Sequence, residues 1–315
     1  MTDKKSARTE LSINALGLRG GFGIALEAVL EESCSLVGED LRVITPDTSA
    51  SGGLARFTKN KPNLWIDLGI SEQGAVLIAG GLADDFRPIV ATFASFLCSR
   101  AHEQIKMVSG YMRLPVIYVG YASGIDLSYL GSSHCCLDDI AIMRSLDIVV
   151  YTPADARQLL MSLGDALTNE VPAYIRLPSR PKIQKINTIA DAASLVSGFE
   201  FVKKNAGDRL LISYGSLSTE AIVVADKVDI DLVLIWKVDA FTLRSLVDAC
   251  QHYSRIFVVE DHVNVTGLCS MLRSLGLDSE SLSSQVSYLI GGEFGAVTAA
   301  LEMDAEGLIR QIRGS

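Results

Sequence analysis

The amino-acid sequence predicts an α/β protein of two doubly wound domains, each a mainly parallel sheet covered by helices. Three observations carry that prediction. Short apolar runs of strand length alternate with helix-period stretches along most of the chain. Runs such as Pro115 to Gly120 are apolar throughout, the pattern of a strand buried on both faces. At 315 residues the chain exceeds one typical domain, so two are expected. The polar, mixed stretch Ile183 to Glu200 divides the alternation, giving domains at 12–182 and 200–315 with a linker at 183–199.

In chain order, Leu16 to Cys34 carries apolar residues at helical spacing and predicts a first helix. Leu41 to Thr45 is a short strand running into the turn-rich PDTSASGG loop, at the strand end where open α/β sheets place their ligand contacts. Arg56 to Lys61 is basic surface. Leu64 to Leu68 is a strand, Gly74 to Ala83 a small-residue helix, Pro88 to Thr92 a strand and Ala101 to Met112 a helix. After the Pro115 strand, Tyr121 to Ser133 is a glycine- and serine-bearing loop ending at His134. Leu137 to Leu146 is helical, with Asp138 and Asp139 in the turn where acids complement the dipole. Strand Ile148 to Tyr151, helix Ala154 to Leu167 and strand Ala173 to Leu177 complete the first domain.

The second domain alternates strands at Leu210 to Ser213, Leu232 to Ile235 and Ile256 to Val259 with helices at Thr219 to Val228, Leu243 to Cys250 and Gly267 to Leu275. A weak strand near Val286 to Ile290 and a C-terminal helix follow.

The net charge of −9 argues against a nucleic-acid backbone or an anionic lipid surface as partner. MTDKKSARTE has no apolar run resembling a signal peptide, and the apolar stretches are too short to span a bilayer. The six cysteines show neither zinc spacing nor a dense disulfide framework, so a reducing, cytoplasmic setting is expected.

Chemistry concentrates in Leu64 to Arg100. Glu72 sits where a strand meets a helix, and Phe93 and Phe96 lie beyond the next strand, an arrangement suited to a flat heterocycle. The competing reading is an acid complementing a helix dipole and two core phenylalanines.

The ordered blocks DLGISEQGAVLIAGGLA, RPIVATFASFLCSRAHEQI, GSSHCCLDDIAIMRSL, VVYTPADA and PAYIRLPSR resemble the pyrimidine-binding domain of the transketolase family, and the same blocks recur in deoxyxylulose-phosphate synthase. The second half, with VEDH at 259–262, resembles the transketolase C-terminal domain. The resemblance implies thiamine diphosphate with Mg2+ as cofactor. Glu72 would hydrogen-bond the aminopyrimidine and favour the tautomer that activates the thiazolium carbon. Phe93 and Phe96 would stack on the ring, and His134 would serve proton transfer or hydrogen bonding at the substrate. Arg19, Ser51 and Arg180 fall near family positions for the substrate phosphate, with Arg176 as a neighbour, and arginine suits a phosphate through its planar fork. No metal ligand is expected in this chain.

Departures qualify the match. The family aspartate four residues before His134 is Leu130, the glutamine after it is Cys135, and a phosphate-binding histidine is replaced near Tyr121-Ala122. One extra residue separates the aromatic from Arg100, leaving open whether Arg100 and His102 face the site. The Gly-Asp-Gly motif and downstream Asn that hold the diphosphate in the family have no counterpart, since Gly164-Asp165 and Gly207-Asp208 are not followed by glycine. The expectation is the second subunit of a split enzyme in an α2β2 assembly with a diphosphate-binding subunit, moving a two-carbon ketol unit of a phosphorylated or modified sugar. A 2-oxo acid dehydrogenase beta-type chain, a pyruvate-using synthase-like chain and a non-catalytic partner are the alternatives. Glu260 and His262 are assigned structural roles.

Overall fold

The computed structural model describes residues 3–32, 40–180, 186, 197–205, 207–284 and 291–314. The first sheet is built from β1 (Leu41–Thr45), β2 (Trp65–Asp67), β3 (Arg87–Phe93), β4 (Ile117–Tyr121), β5 (Val149–Tyr151) and β6 (Ala173–Leu177). The second is built from β7 (Phe199–Lys203), β8 (Arg209–Ser213), β9 (Asp231–Ile235), β11 (Arg255–Val263) and β12 (Glu280–Ser284). One short strand, β10 (Lys237–Val238), follows β9 in sequence but pairs antiparallel with β5, so the second half of the chain supplies an edge of the first sheet. The orders are β10-β5-β6-β4-β3-β1-β2 and β12-β11-β8-β9-β7. Apart from β10 and the antiparallel β7–β9 pair, the ladders are parallel, as the apolar runs require.

The halves are not packed as independent bodies. One buried cluster runs from Val76, Val90 and Tyr118 of the first half to Ile212, Tyr214 and Val258 of the second. Burying that shared apolar surface stabilises by roughly 25 cal/mol per Å² removed from water.

The structure revises several sequence expectations. Leu16 to Cys34 is not one helix: Asp3–Gly20 bends at Gly17 (φ 77°), and a second helix runs from Phe22 to Glu32. The turn between them is tight, because a Cβ on Gly21 would lie 2.9 Å from Ile13. The helix expected from Ala101 begins at Phe96, and wide turns at Phe96–Arg100 and Lys106–Tyr111 flank a short α-helical piece, His102–Ile105. Within the expected linker, β7 starts at Phe199; most of the linker lies outside the described residues. The weak strand near 286–290 also lies outside them, and the described strand there is β12. No helix among the described residues is long and apolar enough to cross a membrane. The five described cysteines carry free thiols, and Cys34 lies outside the described residues.

Candidate active site

The carboxyl ends of β1, β3, β4 and β6 all face the same edge of the first sheet, as in any parallel α/β array. Past β2, the Asp67 carboxylate shapes the approach to Glu72. It accepts from Thr45 Oγ1 (3.1 Å) and from the backbone N–H groups of Asp47 (3.2 Å) and Gly69 (2.8 Å). The chain then turns through Gly69 at φ 65°, where a side chain would be strained, and enters the helix Glu72–Leu82.

Glu72 is 4% exposed and opens the helix at its N-terminus. Arg100 Nη1 donates to Glu72 Oε1 at 2.7 Å. The Arg100 guanidinium also lies 4.2 Å over the Phe96 ring, so Arg100 does face Glu72. The extra residue that obscured this in the sequence is absorbed by the wide turn, in which Ala101 N–H bonds to the Phe96 carbonyl five residues back (3.1 Å). Such turns accommodate one more residue than an α-helical turn and gather at functional sites. His102 is half-buried, and among the described residues its Nδ1 has no partner and its ring no contact with the aromatic group.

Phe93, Phe96 and His134 meet edge-on. Ring centroids lie 5.6 Å apart for Phe93–Phe96, 5.8 Å for Phe93–His134 and 5.4 Å for Phe96–His134. Each ring is half-buried, leaving surface for a planar ligand. Ser133 Oγ lies 3.0 Å from His134 Nδ1 and orients the imidazole. Tyr121 extends the cluster through Phe93 (6.1 Å) and Phe22 (6.3 Å). Its hydroxyl is buried beneath Gly52, where an added Cβ would lie 2.1 Å from the ring, and has no hydrogen-bond partner among the described residues.

Beyond Tyr121, Arg19, Asp126, Ser179, Arg180, Glu220 and Glu293 share a cleft of about 490 Å³ at the seam between the two halves. Arg180 is held by the second half: Nη1 donates to the Ser216 carbonyl (2.8 Å), Nη2 to Glu220 (3.2 Å), and the guanidinium covers Phe294 at 3.9 Å. Asp126 Oδ2 accepts from the Ser179 N–H at 2.7 Å. Asp126 Oδ1 and Ser179 Oγ are buried and have no partner among the described residues. A larger concavity, about 710 Å³, lies beside the helix Ala55–Asn60, away from the aromatic group and spanned by the Arg56–Glu27 ion pair, so its size does not make it the site.

Two of the residues expected at the substrate do not line this cleft. Arg176 is 1% exposed and does not line the cleft; Asp139 and Asp261 occupy its guanidinium at 2.9 and 2.6 Å. Ser51 is exposed on the loop after β1 and outside the cleft. Glu260 is buried, accepting from the N–H groups of Leu268 (2.7 Å) and Cys269 (3.1 Å) and from Tyr214 Oη (3.0 Å), and buried His262 follows it. The sequence did not single out Asp126, Glu220 or Phe294. They reach the cleft only through tertiary packing and carry no local signal.

Burial, and then the nearby Asp261 carboxylate, push the Asp126 carboxyl up to about 7, against the opposing Ser179 N–H, Arg180 and Arg176. With the folded value above the unfolded one, the folded state binds the extra proton between them. The stability this contributes is fully present below about pH 4 and is lost as pH rises through about 7. Thermal unfolding of the wild type from pH 4 to 8 should show this decline, up to roughly 4 kcal/mol, and Asp126→Asn should flatten it. Equal slopes in the two proteins would refute the assignment.

Comparison with known proteins gives the chain's family and fold relatives. Residues 16–182 match the family model described as transketolase, pyrimidine binding domain. The chain is 26% identical over 292 residues to 1-deoxy-D-xylulose-5-phosphate synthase of Dechloromonas aromatica (strain RCB), covering 89% of this chain and 46% of that protein. It is 30% identical over 193 residues to the 6-deoxy-6-sulfo-D-fructose transketolase subunit SqwH of Clostridium sp. (strain MSTE9), covering 60% of this chain and 59% of that one. Its fold is similar to the structure titled split gene transketolase, inactive beta4 tetramer, with a TM-score of 0.77 and 22% identity over 93% of this chain and 95% of that one. The chain spans about half the length of the synthases it matches.

Proposed function

Starting from the fact that this chain belongs to the transketolase pyrimidine-binding-domain family, we propose that it is the pyrimidine-side subunit of a split, thiamine-diphosphate-dependent transketolase. It would move a two-carbon ketol unit between carbonyl compounds, at least one of them a phosphorylated or otherwise modified sugar. The observation that carries the reading is the Glu72–Arg100–Phe96–His134–Phe93 constellation, which joins a buried carboxylate to three half-open rings at the carboxyl edge of a parallel sheet.

The donor set fits an aminopyrimidine. Among the described residues, Arg100 is the polar partner of the Glu72 side chain and engages Oε1, so Oε2 is available to a ring nitrogen. Phe93 and Phe96 orient the ring, each aromatic contact contributing roughly 0.5–1.5 kcal/mol beyond area burial. When bound, thiamine diphosphate supplies the nucleophilic carbon and electron sink that exchange of a carbon–carbon bond requires. Glu72 holds a proton at the pyrimidine nitrogen, Arg100 fixes the carboxylate, and His134 moves a proton at the substrate hydroxyl or carbonyl. Arg19 and Arg180 orient the far end of the sugar.

The diphosphate and its Mg2+ are assigned to a partner chain in an α2β2 assembly, a reading supported by the likeness to a split gene transketolase and to a transketolase subunit. An exposed apolar strip beside Glu72 supports a partner there. Leu77 and Ile78 are 55% and 40% exposed, and Met107 and Tyr111 are 42% and 78% exposed. Their helices touch, since a Cβ on Gly80 would lie 2.9 Å from Val108. Titrating thiamine diphosphate and Mg2+ against the chain alone should show no tight binding. Adding a chain that carries Gly-Asp-Gly and the downstream Asn should bring both binding and ketol transfer. Tight binding without that chain, or turnover of pyruvate with no ketose accepted, would sink the proposal.

A further inference from the structure

In a neutral imidazole one ring nitrogen donates and the other accepts, and the partner of each nitrogen decides which. For His134 the neighbours make that choice. Ser133 Oγ lies 3.0 Å from His134 Nδ1 and 3.2 Å from the Leu130 carbonyl oxygen. A hydroxyl has a single proton, and a carbonyl oxygen can only accept. With its proton donated to Leu130, Ser133 Oγ meets Nδ1 as an acceptor, so Nδ1 carries the hydrogen. Among the described residues His134 Nε2 has no hydrogen-bond partner, and unlike His262 Nε2 it is not buried. It is open to solvent beside Phe93 and Phe96.

The backbone holds this arrangement. The His134 and Cys135 N–H groups both donate to the Gly131 carbonyl, at 3.1 and 3.2 Å, and Cys136 exchanges two bonds of 2.9 Å with Gly124. The chain turns through Gly131 at φ 69°, a conformation that favours glycine. Phe93 and Phe96 meet the imidazole at 81° and 61°, which fixes its plane. Ser133 itself is exposed, so its hydroxyl rather than its packing is what it contributes.

We propose that Ser133 is a positioning residue for His134: anchored on the Leu130 carbonyl, it keeps the imidazole proton on Nδ1 and leaves Nε2 as the proton acceptor. His134 then acts first as a base. The substrate O–H bond breaks, its proton forms an N–H bond at Nε2, and the electron pair stays on the oxygen. Ser133 accepts from Nδ1–H before and after this step, so its hydroxyl need not turn as the ring gains charge. The proton on Nε2 then returns to the oxygen of the next carbonyl compound. In the opposite tautomer Nε2 would carry a hydrogen at the outset and could not take one. This rests on reading His134 as the proton-transfer group of the ketol-transfer reaction.

Nitrogen-15 spectra of the full chain with labelled histidine, at pH 8.5 where ordinary imidazoles are neutral, test it. The chain has four histidines, and His134→Gln identifies the signal of interest. Two others calibrate the spectrum: His262 Nδ1 faces the Val263 carbonyl at 3.1 Å and so carries a hydrogen, while His252 is exposed. His134 should be mainly in the Nδ1–H form, the minority form of a free neutral imidazole. Ser133→Ala should shift the ratio of the two forms about tenfold toward Nε2–H, and Ser133→Thr should keep the wild-type ratio. In the reconstituted enzyme Ser133→Ala should lower kcat with the lost Nδ1–H fraction, about fourfold, with KM within about twofold of wild type. Ser133→Thr should rescue that rate. A wild-type chain mainly in the Nε2–H form, a ratio unmoved by Ser133→Ala, or a reversed ratio with unchanged kcat would overturn the inference. The spectra contain no cofactor and no partner, so they decide the tautomer even where ketol transfer fails. An Nε2–H spectrum from a chain that is active in the complex would sink this inference alone.

Discussion

Replacing Glu72 with glutamine is expected to lower turnover of the reconstituted two-chain enzyme by about a hundredfold to ten-thousandfold, with little change in assembly. Glutamine keeps the size of the side chain and can still meet Arg100, but it cannot take or share the proton that the proposed chemistry places at the pyrimidine nitrogen. The ion pair that is lost is partly solvated. The Arg100 side chain is 49% exposed, so its contribution to stability is small beside the expected rate effect. The loss should therefore appear in kcat, with subunit association and the thermal midpoint close to wild type. Steady-state kinetics together with sedimentation of the mixed chains make the check. A variant that assembles and turns over within about threefold of wild type would move the chain to the alternative role of a non-catalytic partner.

Arg100 and Arg176 show how far the sequence alone could lead. Glu72, Phe93, Phe96 and His134 stand in contiguous blocks whose order is informative, and the structure brings them together through two strand ends and one loop. The sequence leaves the direction of Arg100 undetermined because one extra residue shifts a helical register, and only the wide turn after Phe96 returns it to Glu72. Arg176 looked like Arg180 in sequence, since both lie in IRLPSR. Their environments differ because Arg176 lies within β6, in the sheet interior, whereas Arg180 lies beyond its end. Alternating apolar runs were enough to read both sheets, yet β10 crosses to the other sheet and β7 lies at an edge with a half-polar pattern. Of the helix Asp3–Gly20 the sequence shows only the part from Leu16 on, because buried residues such as Ile13 are sparse in the polar stretch before it. Contacts across the seam depend on how the halves pack, which leaves no periodic trace in either half.

Arg176→Met is expected to destabilise the chain by about 3–5 kcal/mol, the largest stability effect of any single replacement proposed for this protein. Arg176 donates through Nε to Asp139 and through Nη1 to Asp261, while Tyr174 Oη adds a bond to Asp139 and Ser216 Oγ one to Asp261. Burial alone would push the guanidinium's pKa down; the two carboxylates more than reverse this and hold it well above the ordinary arginine value. Remove the cation and two carboxylates remain buried without it, one on each side of the seam. The packing leaves no room to relax: a Cβ at Gly124 would lie 1.8 Å from Asp261 Oδ2, and Gly124 itself has φ 64°. Adding Asp139→Asn and Asp261→Asn to Arg176→Met should restore part of the loss, because the network destabilises most when only one sign of charge is left. Urea unfolding of the single and triple variants measures both effects. If Arg176 instead contacted substrate, its replacement would raise KM in the assembled enzyme and leave the unfolding midpoint where it was. The buried ion pairs predict the reverse, a lowered midpoint with KM unchanged in whatever fraction folds.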